Sequence, residues 1–383
     1  MRNNIYTIYE FRGKRYGGRV VASIAVTAMA LAMTIPPTLA GASSKQSMVP
    51  FKAALVKEER VPTYTGPTSG PSPATIKAMS GKKITVVECS SANTGCVNLA
   101  NSIVASDTAV GWTTTIVNGN GSPATEISDM EAAISDGANG IVLDAISSTT
   151  VTQGMEAAKA AKIPVVTANS DSPVGSATAD SFAEISDQSQ QSGKDLADLF
   201  IVNSAGTAKV AVFHVSTITS TVNRYDGFMA EFKKCKACSV VSNQTYGVVS
   251  QASFESLIKA TVAAHPTIQY MFLDISQYAT MAADALQQMG LSHKIHVAGI
   301  DCLQPETESI LRNTGEIGCA EDSLPNVGGP ATNEFIRAFA GLPSTPETEP
   351  LRLLTKTVIQ HSGAYPYLDF TILPAYEKLW GLS

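Results

Sequence analysis

Polar side chains in this chain gather just beyond short runs of β-branched residues. If each run is a strand, the residues that follow the strands are Ser90, Ser91, Asn93, Asp144, Asn169, Ser170, Asp171, Ser216, Thr217, Asp274, Ser276, Asp301 and Gln304. In open α/β sheets the loops past the strand carboxyl ends form the binding crevice, because helix amino ends and unpaired backbone donors converge there. Neutral hydroxyls and amides dominate the set, and no glycine-rich loop with a lysine follows any run. This chemistry suits a neutral polyol better than a phosphate. Arg224, on a helix that starts after the strand-end loop 216–220, adds one cation. Asp301 can serve the crevice and also cap the next helix, and Asp144 and Asp274 read equally as caps or as contacts.

Catalysis would need a nucleophile with a base, or two carboxylates held at a set distance. No G-x-S-x-G elbow occurs, and nothing couples a serine to a histidine. The five histidines, His214, His265, His293, His296 and His361, are scattered, and no two have metal-ligand spacing on one helix. The expectation is therefore a binding protein with no catalytic residue, metal or cofactor. A glycoside hydrolase using Asp301 is the alternative, and it requires a second carboxyl within about 5–10 Å.

Six cysteines form three close couples, Cys89/Cys96, Cys235/Cys238 and Cys302/Cys319. An even number in an exported chain points to disulfides, and although six cysteines allow 15 connectivities, nearest-neighbour pairing is expected. Cys235-Lys236-Ala237-Cys238 also resembles half of a redox or zinc site, but no second CxxC accompanies it.

The elements that must position these groups alternate along the chain. Strands are expected at 84–88, 113–118, 140–145, 165–168, 209–214, 239–246, 270–273, 296–300 and 316–320. Helices are expected at 97–110, 122–136, 150–161, 188–202, 221–234, 250–265, 278–289, 306–313 and 327–340. Apolar strands without a solvated face, alternating with helices, argue parallel sheets covered on both sides, an α/β class. Ser122-Pro123 sets a helix start with Glu126 expected to close a capping box, while Gly137 and Gly290 are placed as left-handed terminators.

At 383 residues, 44% apolar and 16% charged, the chain is long enough for two globular domains and too apolar to be disordered. Its formal charge of −6 is uneven: residues 1–40 hold five cations and one anion, leaving 22 Lys and Arg against 32 Asp and Glu, or −10, for the rest. Such a body repels phosphate backbones, and no basic stripe with interleaved aromatics offsets this, so nucleic acid is not an expected partner. Arg19 is followed by the uncharged run 20–35, then Pro36-Pro37 and the small residues Thr38 to Ala42. Basic, apolar and small-residue segments in that order read as a secretory signal over 1–40, the uncleaved anchor being the alternative. Residues 41–81, rich in Ser, Pro, Gly and Thr, read as a flexible spacer.

Several stretches in order carry a family likeness: 136–143 (DGANGIVL), 158–167 (AKAAKIPVVT), 223–228 (NRYDGF), 264–272 (AHPTIQYMF) and 297–301 (VAGID). Together they resemble the type I periplasmic solute-binding proteins of ABC importers, in the branch of ribose and other sugar binders. That resemblance implies two similar αβα lobes, 82–186 plus 324–352 and 187–323 plus 353–383, joined by a hinge of three crossings near Ser186, Ser323 and Arg352. Arg224 matches the arginine that forks onto sugar oxygens, a geometry lysine mimics poorly, and Asp301 matches the strand-end carboxylate that accepts hydroxyl protons. Asn93 falls at a hydrogen-bonding position in the first loop. Asn169 and Ser170 replace an Asp-Arg pair, Ser323 stands near a hinge glutamine, Ile275 replaces an asparagine, and Gly95-Cys96 stands where stacking aromatics are usual. Tyr246, with Tyr225 and Tyr278, is the nearest aromatic substitute. By this likeness the chain is an exported monomer, in the periplasm or at the cell exterior, that captures a small neutral solute, a sugar or related polyol, for an ABC permease. A sensor module for a membrane receptor is the alternative.

Overall fold

The computed structural model describes residues 46–62, 67, 70–172, 181–247, 249–345, 347–362 and 372–382. The expected export signal lies outside them. In chain order, α1 (Val49–Glu58) and α2 (Pro73–Lys77) precede the first alternating block. That block is β1 (Lys83–Glu88), α3 (Thr94–Ala109), β2 (Thr113–Asn118), α4 (Pro123–Ser135), β3 (Gly140–Asp144), α5 (Thr152–Ala161), β4 (Val165–Ala168) and β5 (Ala183–Ile185). The second block is α6 (Ser189–Asn203), β6 (Lys209–Val215), α7 (Thr219–Phe232), β7 (Ser239–Tyr246), α8 (Gln251–Ala264), β8 (Tyr270–Leu273), α9 (Ser276–Gln288), β9 (His296–Ile300), α10 (Gln304–Arg312) and β10 (Glu316–Glu321). A 3-10 turn at Leu324–Asn326 then leads to α11 (Gly328–Phe339), β11 (Arg352–Thr355), α12 (Lys356–His361) and α13 (Leu373–Leu379).

Two sheets result. The first is parallel in the order β2-β1-β3-β4-β5, and the second runs β11-β10-β9-β8-β6-β7 with only β11 antiparallel. Every residue of β3, β4 and β8 is buried, as apolar strands covered on both faces require. Each sheet has a core on either side. Ile84, Val86, Leu99, Ile103 and Phe335 fill one face of the first sheet, and Val87, Met130, Leu143 and Met155 the other. Phe213, Phe254 and Tyr278 lie on one face of the second sheet, with Phe200, Phe228 and Phe272 opposite. The two αβα lobes are thus present.

Chain crossings between the lobes follow β5, where Gln188 is left-handed (φ 55°), and β10, where Ser323 is (φ 54°). A further crossing lies beside the first, since Ser186 pairs with Thr348 and its amide donates to the Glu347 carbonyl at 3.1 Å.

Three local expectations need correction. The spacer is folded in part: Phe51 of α1 is buried in the second lobe, Arg352 Nε donates to the Glu59 carbonyl at 3.0 Å, and Ile76 of α2 enters the first lobe's core. Residues 353–383 do not all belong to the second lobe. β11 and α12 do, but Ile372, Tyr376 and Trp380 are buried in the first lobe's core, because Trp and Tyr bury more area there than any polar surface offers. The capping box at α4 does not close. Ser122 Oγ accepts from the Thr125 amide, but the Ser122 amide is already given to the Gly119 carbonyl, and Glu126 is one residue too far along to reach it. Gly137 (φ 77°) and Gly290 (φ 68°) are left-handed, as their place after α4 and α9 demands.

Candidate functional site

The site is assembled by one close helix contact. Gly193 of α6 and Gly227 of α7 let the two backbones touch: a Cβ on Gly193 would lie 1.9 Å from the Arg224 carbonyl oxygen, and one on Gly227 2.0 Å from that of Gln190. This seam holds Arg224, on the first half of α7, at the junction of the lobes with 2% of its surface exposed. Its guanidinium meets Asp301 Oδ1 at 2.9 Å, Asp187 Oδ2 at 3.0 Å and the Asp322 carboxylate, and also donates to the Asp274 carbonyl at 2.8 Å. Asp187 and Asp322 sit at the chain crossings and Asp301 at the end of β9. One cation therefore ties together a helix, a strand end and two hinge segments.

Burial opposes charge on every member of this cluster. Arg224 nonetheless stays above its ordinary range, because burial is outweighed by the carboxylates of Asp301, Asp322 and Asp187. Burial raises Asp187 and Asp301 against the pull of Arg224, and raises Asp322 furthest, with Asp301 adding to the effect.

A cavity of about 30 Å³ lies against Arg224, lined from the first lobe by Asn93, Cys96, Leu99, Asp144, Ala145 and Asn169 and from the second by Ile218, Thr221, Ile275 and Asp301. Ala145, Asn169 and Asp301 have positive φ (52°, 51° and 101°) where the strands end, the kind of strain that clusters at functional sites. The lobes touch at its rim: the Thr94 amide donates to Gln277 Oε1 at 3.0 Å, Gln277 Nε2 to the Ala92 carbonyl at 3.2 Å, and Asn223 Nδ2 to Asp171 Oδ2 at 2.8 Å.

Of the residues singled out from sequence, Asn93, Cys96, Asn169, Arg224 and Asp301 line this cavity. Asn93 caps α3, its Oδ1 accepting from the Gly95 amide at 2.8 Å, and Asn169 Oδ1 accepts from Arg224 at 3.4 Å. Ser170, Tyr246 and Ser323, among others, do not line it. Ser170 turns to Glu184, its amide and hydroxyl donating at 3.1 and 2.9 Å. Tyr246 packs in the second lobe's core against Phe254 and Tyr278, and its hydroxyl donates to Asp274 Oδ1 at 2.7 Å. Ser323 Oγ accepts from Asn326 Nδ2 at 2.6 Å inside the hinge. With the Val215 amide on its other oxygen, Asp274 is fully engaged, and burial pushes its carboxyl up to about 7.

All three expected disulfides are present, Cys89–Cys96, Cys235–Cys238 and Cys302–Cys319. Cys89 and Cys96 form part of the cavity wall. Asp187 and Asp322 were not among the residues picked out from sequence: Asp187 follows the three-residue β5, which no pattern announces, and Asp322, although it directly follows β10, was passed over. Their one signal is an acidic residue at each crossing.

A family model described as periplasmic binding protein domain matches residues 84–320. No curated protein matches the chain. Among solved structures the chain is similar to a glucose-galactose binding protein from Geobacillus stearothermophilus, at 15% identity and a TM-score of 0.65, over 73% of this chain and 98% of that one. It is similar too to the periplasmic binding protein component of the arabinose ABC transporter from Shewanella sp. ANA-3, solved with α- and β-L-arabinofuranose (16%, TM-score 0.67, 78% and 95%). A third is an ABC transporter solute binding protein from Mycobacterium smegmatis with bound glycerol (18%, TM-score 0.67, 75% and 99%). At such identities the likeness is one of fold.

Proposed function

Because this chain belongs to the periplasmic binding protein domain family, we propose that it captures a small polar solute of the sugar and polyol class between its lobes and presents the closed form to an ABC permease. The family is one of solute-binding proteins, and the chain is not an enzyme. The observation that carries this reading is the cavity between the lobes at Arg224, with Asn93 and Asn169 on one side and Asp301 on the other. Sugars or glycerol bound to the similar structures from Shewanella and Mycobacterium support the solute class.

A solute that touches both lobes stabilises only the closed state, so occupancy shifts the population toward it. A cavity of about 30 Å³ is far below the roughly 300 Å³ and upward of ordinary ligand sites. Entry therefore requires the rim contacts of Gln277 with Thr94 and Ala92 to part. Calorimetric titration with a panel of hexoses, pentoses and polyols tests the reading. Saturable binding is expected, and none across the panel would remove it. The order of charge and apolarity in residues 1–40 supports export, and N-terminal sequencing of the secreted protein distinguishes cleavage from an anchor.

A further inference from the structure

Asp144 closes β3 with 0% of its surface exposed and lines the interlobe cavity. Among the described residues lining that cavity it is the one carboxyl with no hydrogen-bond partner on either oxygen. The other carboxyl there, Asp301, is engaged by Arg224, and the polar neighbours Asn93 and Thr221 are engaged by the Gly95 amide and the Val215 carbonyl. Glu88 lies beside Asp144 in register on β1, and its Oε2 accepts from Ser91 Oγ at 2.6 Å. Among the described residues lining the cavity the one cation is Arg224, and it is shared by three other carboxylates. A buried carboxyl with both acceptors open and no counter-charge is costly unless a partner supplies one.

We infer that the solute carries a primary ammonium group, which Asp144 receives, at one end of a hydroxylated body: an amino sugar or amino polyol in place of a neutral one. The inference rests on the proposed capture of a solute of that class and narrows it. Facing a neutral hydroxyl, Asp144 keeps its proton and makes an ordinary hydrogen bond. Facing an ammonium it ionises, and the pair gains a charge-assisted bond in a site closed to water. Burial, then Glu88, holds the Asp144 carboxyl well above its usual range, as expected for an acid without its cation. A solute bearing a carboxylate or phosphate is rejected by the same excess of acid around Arg224. A bare metal ion is not favoured. Among the described residues the one group of three potential ligand atoms drawn close together is Cys302, Glu306 and Cys319, and the two sulfurs there are joined in a disulfide.

The test is calorimetric titration of the full chain with matched pairs that differ at one group: glucosamine and glucose, galactosamine and galactose, serinol and glycerol. The amine of at least one pair should bind about tenfold more tightly or better than its hydroxyl partner, and Asp144→Asn should erase the difference. Should the variant fail to fold, the N-acetylated amine replaces it on the unaltered protein and should bind no better than the hydroxyl member. Binding of the neutral members without gain for the amine, or a preference that survives Asp144→Asn or N-acetylation, overturns this inference and leaves the capture of polyols standing. Binding of no member of any pair overturns both.

Discussion

Arg224 is held by more opposite charge than one guanidinium needs, with Asp187, Asp301 and Asp322 all on it. Replacing it by Met leaves those carboxyls buried without a cation, and breaking a buried pair in this way costs about 3–5 kcal/mol. The acids relieve part of the cost by keeping protons. Burial already raises all three, and without Arg224 they rise further. The native variant then binds more protons than its unfolded chain, so its stability falls as pH rises. Urea midpoints of Arg224→Met should accordingly trail those of the parent less at about pH 5 than at about pH 7.5, and an equal deficit at both would show that no uncompensated charge is left behind. Asp301 was legible in the sequence because it directly follows a recognisable strand, and Arg224 because it lies on the helix after a strand-end loop, in a stretch that carries the family likeness. Asp187 was not, since the β5 it follows is too short to announce itself, and Asp322 was not, since nothing local sets it apart from any other carboxylate just past a strand.

Most elements could be read from periodicity, and the expected strands and helices lie within a few residues of those observed. The exceptions are short or depend on a partner. β5 has three residues, too few for a pattern to show, and β11 is an antiparallel edge strand outside the strand–helix alternation. α1 buries only Phe51 and gains its place from α6 and the edge at β11. The contact that matters most to the site is between α6 and α7, where Gly193 meets the Arg224 backbone. An alanine in the middle of an exposed helix stabilises relative to glycine by about 1 kcal/mol, but here its Cβ would strike a carbonyl oxygen. Gly193→Ala is expected to lose about 1–3 kcal/mol and, by displacing Arg224, to weaken solute binding as well. A variant as stable and as tight-binding as the parent would mean that the two helices are not locked at this seam.

On the scale of the molecule, the first and the last helices of the described residues engage both lobes: α1 on the second and α2 on the first, then α12 on the second and α13 on the first. These links run in addition to the crossings at 187–188, 322–323 and 347–351, so opening of the cleft must carry them along. Trp380 is 1% exposed, packs on Tyr376 and donates from Nε1 to Asn333 Oδ1 at 3.3 Å. It belongs to the first lobe's core as fully as Phe335 does. Trp380→Ala should cost about 3–5 kcal/mol, seen as a lower denaturant midpoint. A change under about 0.5 kcal/mol, as at ordinary surface positions, would mean that the terminal helix is an ornament.

Local rules sufficed for the α/β class, the order of strands and helices and the disulfide couples, because each is written in a few neighbouring residues: β-branched runs, caps, cysteine spacing. Tertiary structure decided which polar groups share one cavity. Tyr246 ends a strand and Ser170 follows one as Asn169 does, yet they are consumed by Asp274 and Glu184, while Asp144 lines the cavity with its oxygens unclaimed. Whether a side chain's hydrogen bonds are already spent depends on groups tens to hundreds of residues away, and burial, which sets the charge each acid carries, exists only once both lobes have closed around it.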